Sequence, residues 1–181
     1  MTRLDVGSPE LANARPEIEA ALSTDKEYLP ALMARGALEL KEGKADAART
    51  TYGEVVRIEP EFGPALKRLA GLLADLPDQT TRAYEAAVKA RKTLSNDVEL
   101  SRILAKINFG RKEYKSAIQL LQESERTAPL DAASLYYLGA SYWNTNDKAR
   151  GREALEKATA AGLQEPLAGE AARMLAQSDG K

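Results

Sequence analysis

The chain has 181 residues, 44% of them hydrophobic, which is enough to bury a sizeable core, and its 26 basic and 27 acidic residues leave a net charge of -1. That balance offers no global field to draw in nucleic acid or an anionic membrane. Cysteine and histidine are both absent, which removes disulfides, thiolate nucleophiles, Cys/His zinc sites and the commonest general base, and confines any catalysis to carboxylates, Lys, Ser, Thr and Tyr.

Met1 to Ser8 carries one positive charge, Arg3, and no apolar run, so it does not read as a signal peptide. No run of 18 apolar residues occurs anywhere, so a soluble chain without membrane insertion is expected. Ser8-Pro9-Glu10 reads as a helix start, with Ser as cap and Pro at the first helical position, and Ala14, Ile18 and Ala21 then share a face. Residues 8–25 are therefore expected to form a half-repeat or an N-terminal cap helix.

Four blocks follow, each a helical apolar period, a short break and a second helical period. In residues 29–62, Leu32, Gly36 and Leu40 lie on one helix, Gly43 turns the chain, and Ala48, Tyr52 and Val55 recur on the next, which stops before Pro60. Residues 63–97 show Leu66, Leu69, Ala70 and Leu73, then Ala83, Ala87 and Ala90; Leu76-Pro77-Asp78 sits at the turn with one extra residue, and looser packing of the second helix is expected there. In residues 98–131, Leu100, Leu104 and Ile107 precede a break at Gly110, and Tyr114 and Ala117 open a helix that Pro129 ends. Residues 132–165 repeat the pattern with Leu138, Gly139 and Tyr142, then Gly151, Leu155 and Ala158, and residues 166–177, with Leu167, Ala171, Met174 and Leu175, suit a capping helix.

Block starts at Leu29, Gly63, Val98 and Ala132 are spaced by 34, 35 and 34 residues, the period of a two-helix repeat array. An aromatic residue or Leu, then Leu-Gly, then Tyr in the first helix, followed by Ala, an aromatic residue or Leu, Ala and Pro in the second, resembles the tetratricopeptide repeat family. Leu138-Gly139 with Tyr142 is the best copy of the first half, and Ala48, Tyr52 and Pro60 the best copy of the second. The resemblance implies an all-α, right-handed α-solenoid of antiparallel helix pairs with a C-terminal capping helix, forming one repeat domain over residues 1–181. Small residues at Gly36, Ala48, Ala105, Ala117, Gly139 and Gly151 are expected where helices cross closely.

In that family the first helices line a concave groove that receives a partner peptide or helix. Projecting the groove positions gives Met33, Ala37 and Leu40; Lys67, Gly71 and Ala74; Arg102, Lys106 and Phe109; and Tyr136, Ala140 and Trp143. Phe109, Tyr136 and Trp143 are the expected aromatic anchors. Lys67, Arg102 and Lys106 would meet acidic side chains or a terminal carboxylate, while Tyr137, Leu138 and Tyr142 belong to the core. Residues 1–62 carry 8 basic and 12 acidic residues, residues 63–128 carry 12 and 8, and the remainder 6 and 7, so an acidic partner segment would be steered to the middle. The same asymmetry would also serve head-to-tail self-association.

The family's two-carboxylate clamp for chaperone tails is missing, because Met33 and Ala37 stand where Lys and Asn are needed. Gly36 to Ala45 resembles a phosphate loop but has six residues between its glycines and Ala45 in place of Ser or Thr. Glu59/Glu61 and Glu123/Glu125, two residues apart, would point to different sides of a helix. No enzymatic activity, cofactor or metal is expected. The reading is a non-catalytic scaffold that binds a partner peptide or helix, within a bacterial multi-protein assembly if the Ala- and Arg-rich composition indicates the source. A structural spacer or self-association module is the alternative. A cysteine-free chain suits bacterial cytoplasm and periplasm equally.

Overall fold

A computed structural model describes residues 14–177. Those residues form ten α-helices and one 3-10 turn, with no strand among them: α1 Arg15–Thr24, α2 Leu29–Lys41, α3 Ala45–Ile58, α4 Gly63–Leu73, the 3-10 turn Pro77–Gln79, α5 Thr80–Thr93, α6 Val98–Gly110, α7 Tyr114–Thr127, α8 Ala132–Asn144, α9 Lys148–Ala160 and α10 Leu167–Ala176. The fold class is all-α, built from helix hairpins, and α10 is the capping helix. The helix start read at Ser8-Pro9 lies outside the described residues; α1 itself begins with Pro16 in its first turn.

Two kinds of signal start six of the ten helices. Pro16, Pro30 and Pro64 occupy the first turns of α1, α2 and α4, where a missing N–H costs nothing because that donor has no partner inside the helix. Asp97, Asp131 and Asp147 cap α6, α8 and α9, accepting from the backbone N–H of Leu100 at 2.7 Å, Ser134 at 2.7 Å and Arg150 at 3.2 Å.

Three of the four turns inside the helix pairs share one geometry. Gly43, Lys112 and Asn146 adopt φ of 75°, 63° and 66°, each the central residue of a three-residue link. The next residue in each link donates back to a carbonyl five positions earlier: Lys44 to Glu39 at 2.8 Å, Glu113 to Asn108 at 2.8 Å and Asp147 to Tyr142 at 2.9 Å. These bonds close the carbonyl end of the first helix and turn the chain in minimum length. The second pair departs, using the longer link 74–79 with its 3-10 turn.

Contacts gather the helices into two compact units, Met1–Ser95 with α1 to α5 and Asn96–Lys181 with α6 to α10. In the first unit α2 packs on α3 and α4 on α5, while α1 lies against α2 and α3 against α4. Ala14, the residue before α1, and Ile18 of α1 bury against Ala37 and Leu38, and Leu32, Val55 and Ala65 form a second cluster. Gly36 admits the ring of Tyr52, since a Cβ there would stand 2.7 Å from the ring. The looser packing expected of α5 does not occur. Ala83, Ala87 and Ala90 are fully buried, because a stripe of methyl-sized side chains lets α5 approach α4 closely.

In the second unit α6 packs on α7 and α8 on α9, with α7 and α6 against α8, and α10 against both α8 and α9. Tyr136, Ala140, Leu155, Ala158 and Ala171 form its buried cluster, bordered by Phe109, Trp143, Leu167, Met174 and Leu175.

Candidate functional site: the first-helix faces

The expected groove residues fall on α2 and α4 in the first unit and on α6 and α8 in the second. Met33 and Leu40 are half-buried on α2, with Met33 packed against Leu32, Val55 and Ala65. Lys67 on α4 and Lys106 on α6 are half-buried.

Arg102 works within the fold. Its guanidinium donates to the Pro129 carbonyl at 2.6 Å and to the Ala128 carbonyl at 3.4 Å, and pairs with Asp131 at 3.2 Å, pinning the link between α7 and α8. A group with three partners inside its own chain holds a turn before it reads a carboxylate.

The aromatic anchors require a correction. Tyr136 is 2% exposed and Ala140 is fully buried, so neither presents a surface to a partner. The cause is α10, whose Ala171 packs into the cluster around them and whose Glu170 carboxylate accepts a hydrogen bond from the Tyr136 hydroxyl. Burial, and then the Glu170 hydrogen bond, push the Tyr136 hydroxyl well above the usual phenol range. The covering helix was itself legible in the sequence; that it covers this face was not, because helix periodicity gives no docking direction.

Phe109 and Trp143 are half-buried at the border of the same cluster. Phe109 lies edge-on to Tyr114 at 5.6 Å and to Tyr136 at 6.3 Å, and tilted against Tyr137 at 5.3 Å between ring centroids. Such pairs favour a fixed ring orientation. The Lys148 ammonium sits 4.0 Å from the Trp143 ring centroid and donates to the Trp143 carbonyl at 3.1 Å, so one face of the indole is already occupied.

The first repeat carries a polar seam that sequence reasoning missed. Arg35 and Glu39 stand where the later first helices place Leu69 and Leu73, Leu104 and Asn108, and Leu138 and Tyr142. Arg35 donates to Thr51 at 3.2 Å and to Glu54 at 2.6 Å, and Thr51, 2% exposed, donates to Glu39 at 2.7 Å. The signal was available: aligning the repeats on Gly36, Ala70, Ala105 and Gly139 shows charge only in the first.

Two clefts open in the first unit. One of about 460 Å³ is lined by Leu22, Leu32 and Ile58 with Arg35, Arg57 and Glu54. The other, of about 580 Å³, lies between α3, α4 and the start of α5. Among the described residues no group of three or more carboxylates is placed to hold a metal ion, and no helix is long and apolar enough to cross a membrane.

Comparison with known proteins agrees with the helix pairs. Tetratricopeptide repeat family models match residues 77–132 and 133–160. Over these residues the chain carries tetratricopeptide repeats. Among solved structures it resembles YrrB, described as a TPR protein with an unusual peptide-binding site, with a TM-score of 0.69 and 21% identity over 91% of this chain and 84% of that one. A MamA chain from Desulfovibrio magneticus RS-1 is 26% identical with a TM-score of 0.66 over 86% of each chain. A tetratricopeptide repeat protein from Parabacteroides merdae ATCC 43184 is 21% identical, with a TM-score of 0.66 over 94% of this chain and 67% of that one. No curated protein sequence matches. The fold is thus that of a protein–protein interaction scaffold, a class that is typically non-catalytic.

Proposed function

We propose that the chain holds an acidic peptide or helix of another protein against its first-helix faces, as a component of a bacterial assembly. The observation that carries the reading is the recurrence of half-buried apolar and cationic positions on successive first helices. Met33, Leu40 and Lys67 provide an apolar and cationic strip in the first unit, and Lys106, Phe109 and Trp143 a comparable strip in the second. Tyr136 and Ala140 leave the site, and Arg102 supports it by fixing the link beside it. The basic excess of residues 63–128 favours a partner with carboxylates. Peptide binding by YrrB lends the reading support by analogy of fold alone.

A photo-crosslinking amino acid placed at Met33, Lys67 or Phe109, and for comparison at the second-helix position Lys115, tests it in the source cell. A common protein crosslinked from the first-helix positions and not from Lys115 is the expected result. Crosslinks to copies of the same chain, or none from any position, would leave the spacer or self-association module. That second reading draws on one observation: the large hydrophobic side chains that stand exposed among the described residues are Tyr28 and Val88, neither of them on the first-helix strips.

A further inference from the structure

The four repeats are internal controls for one another, and two departures converge on a single cleft. Helix α3 carries Gly53 in its interior, at the position where α5, α7 and α9 carry Val88, Gln122 and Glu156. A Cβ at Gly36 or Gly139 would collide with a neighbour, whereas a Cβ at Gly53 meets nothing within 4 Å. Glycine inside a helix lowers its stability, and packing within the chain supplies no reason for it here. The second departure is the 74–79 link, the longer exception among the four. Gly53 and this link border the same cleft of about 580 Å³ on the second-helix side of the first unit.

The cleft has an apolar floor of Leu69, Leu73 and Leu76, with Arg49 and Arg82 in its walls and Asp78 as the carboxylate in its lining. Arg49 pairs at 2.8 Å with Asp46, which is 89% exposed; such a solvent-facing pair is weak and exchangeable. Arg82 donates at 2.9 Å to the neutral amide oxygen of Gln79. Two guanidinium groups against one lining carboxylate leave the walls net positive above an aliphatic floor.

We propose that this cleft is a second protein-binding site, separate from the first-helix faces, and that it takes an extended segment of a partner in which aliphatic side chains are flanked by carboxylates. The aliphatic side chains enter the space that Gly53 leaves open. The carboxylates replace Asp46 on Arg49 and Gln79 on Arg82, where the planar guanidinium can bind both oxygens.

The test titrates the isotope-labelled full chain with the capped peptide Ac-Glu-Leu-Leu-Asp-NH2 and with its neutral isostere Ac-Gln-Leu-Leu-Asn-NH2, following backbone amide shifts. Expected are saturable shifts at Gly53, Leu76 and Arg82, about fivefold or more weaker binding of the isostere, and loss of those shifts in Gly53→Leu with helical content retained. Four results would overturn the proposal: no saturation at millimolar peptide, equal affinity for the isostere, a Gly53→Leu variant that binds as well as the native chain, or shifts at Met33, Leu40 and Lys67 instead. Shifts at the cleft on simple concentration of the chain would assign it to a second copy and overturn the partner. None of these outcomes bears on the first-helix faces except shifts there, which would favour them.

Discussion

Gly139 on α8 and Gly151 on α9 cross so closely that a Cβ on Gly139 would stand 2.9 Å from the Gly151 carbonyl oxygen and 2.8 Å from Cγ of Leu155. Backbone cannot yield as a flexible side-chain tip can. Gly139→Ala is therefore expected to destabilise the second unit by about 1–3 kcal/mol through overpacking. Gly53→Ala should do the opposite, gaining up to about 1 kcal/mol because its new methyl enters open space on a helix. Urea unfolding of the two variants checks the pair; a shared sign would refute the steric account.

The polar seam of the first repeat has an equally definite signature. Thr51→Val strips the bridging hydroxyl between Arg35 and Glu39, and is expected to cost about 1–3 kcal/mol by leaving half-buried charged groups short of a partner. Replacing Arg35 and Glu39 by Leu together with Thr51→Val reproduces the apolar seam that the second repeat builds with Leu69 and Leu73. That triple variant should recover most or all of the loss, and thermal unfolding of both variants would show whether it does.

Two tyrosines set an alkaline limit. Burial pushes the Tyr52 hydroxyl up to about 12 from 10.0, and Tyr136 is raised as well. Because both folded values exceed the unfolded one, their stabilising contribution is complete below about pH 10 and declines as pH climbs toward the folded values. For Tyr52 the loss reaches on the order of 2–3 kcal/mol by pH 12. Tyr52→Phe should flatten that decline, measured by helical circular dichroism against pH. An unchanged pH profile in the variant would count against the buried phenol as its source.

Lys148 shields one face of Trp143, the single tryptophan of the chain. Lys148→Met is expected to raise acrylamide quenching of the indole and to cost about 0.5–1 kcal/mol at this exposed contact. If quenching stays as in the native chain, the ammonium is not what covers the ring.

How much of this was legible in the sequence depends on the range of the interaction. First helices begin at Leu29, Gly63, Val98 and Ala132, the residues from which the intervals of 34, 35 and 34 were counted, since starts and breaks are written locally in Pro, Asp and Gly. Gly36 against Tyr52, and Gly139 against Gly151, were also readable, because close crossings tolerate few residue types. The fate of Tyr136 was not. Its surroundings depend on where α10 docks, thirty residues further along, and periodicity gives α10 a face without an address. The hold of Arg102 on the link between α7 and α8 was hidden for a related reason: exposed and structural arginines look alike until the neighbouring turn is in place. The seam at Arg35 and Glu39 could have been found by asking which repeat places charge at equivalent positions.

The three left-handed turns show how little side-chain chemistry that joint demands. Glycine, lysine and asparagine each serve at the same φ, although only glycine adopts it without steric penalty. The hairpin is therefore dictated by the two helices that clamp it, and the turn residue obeys. Lys112 and Asn146 are thus positions where a glycine could be written in to relax the backbone at no change of architecture, which makes these clamped joints editable text.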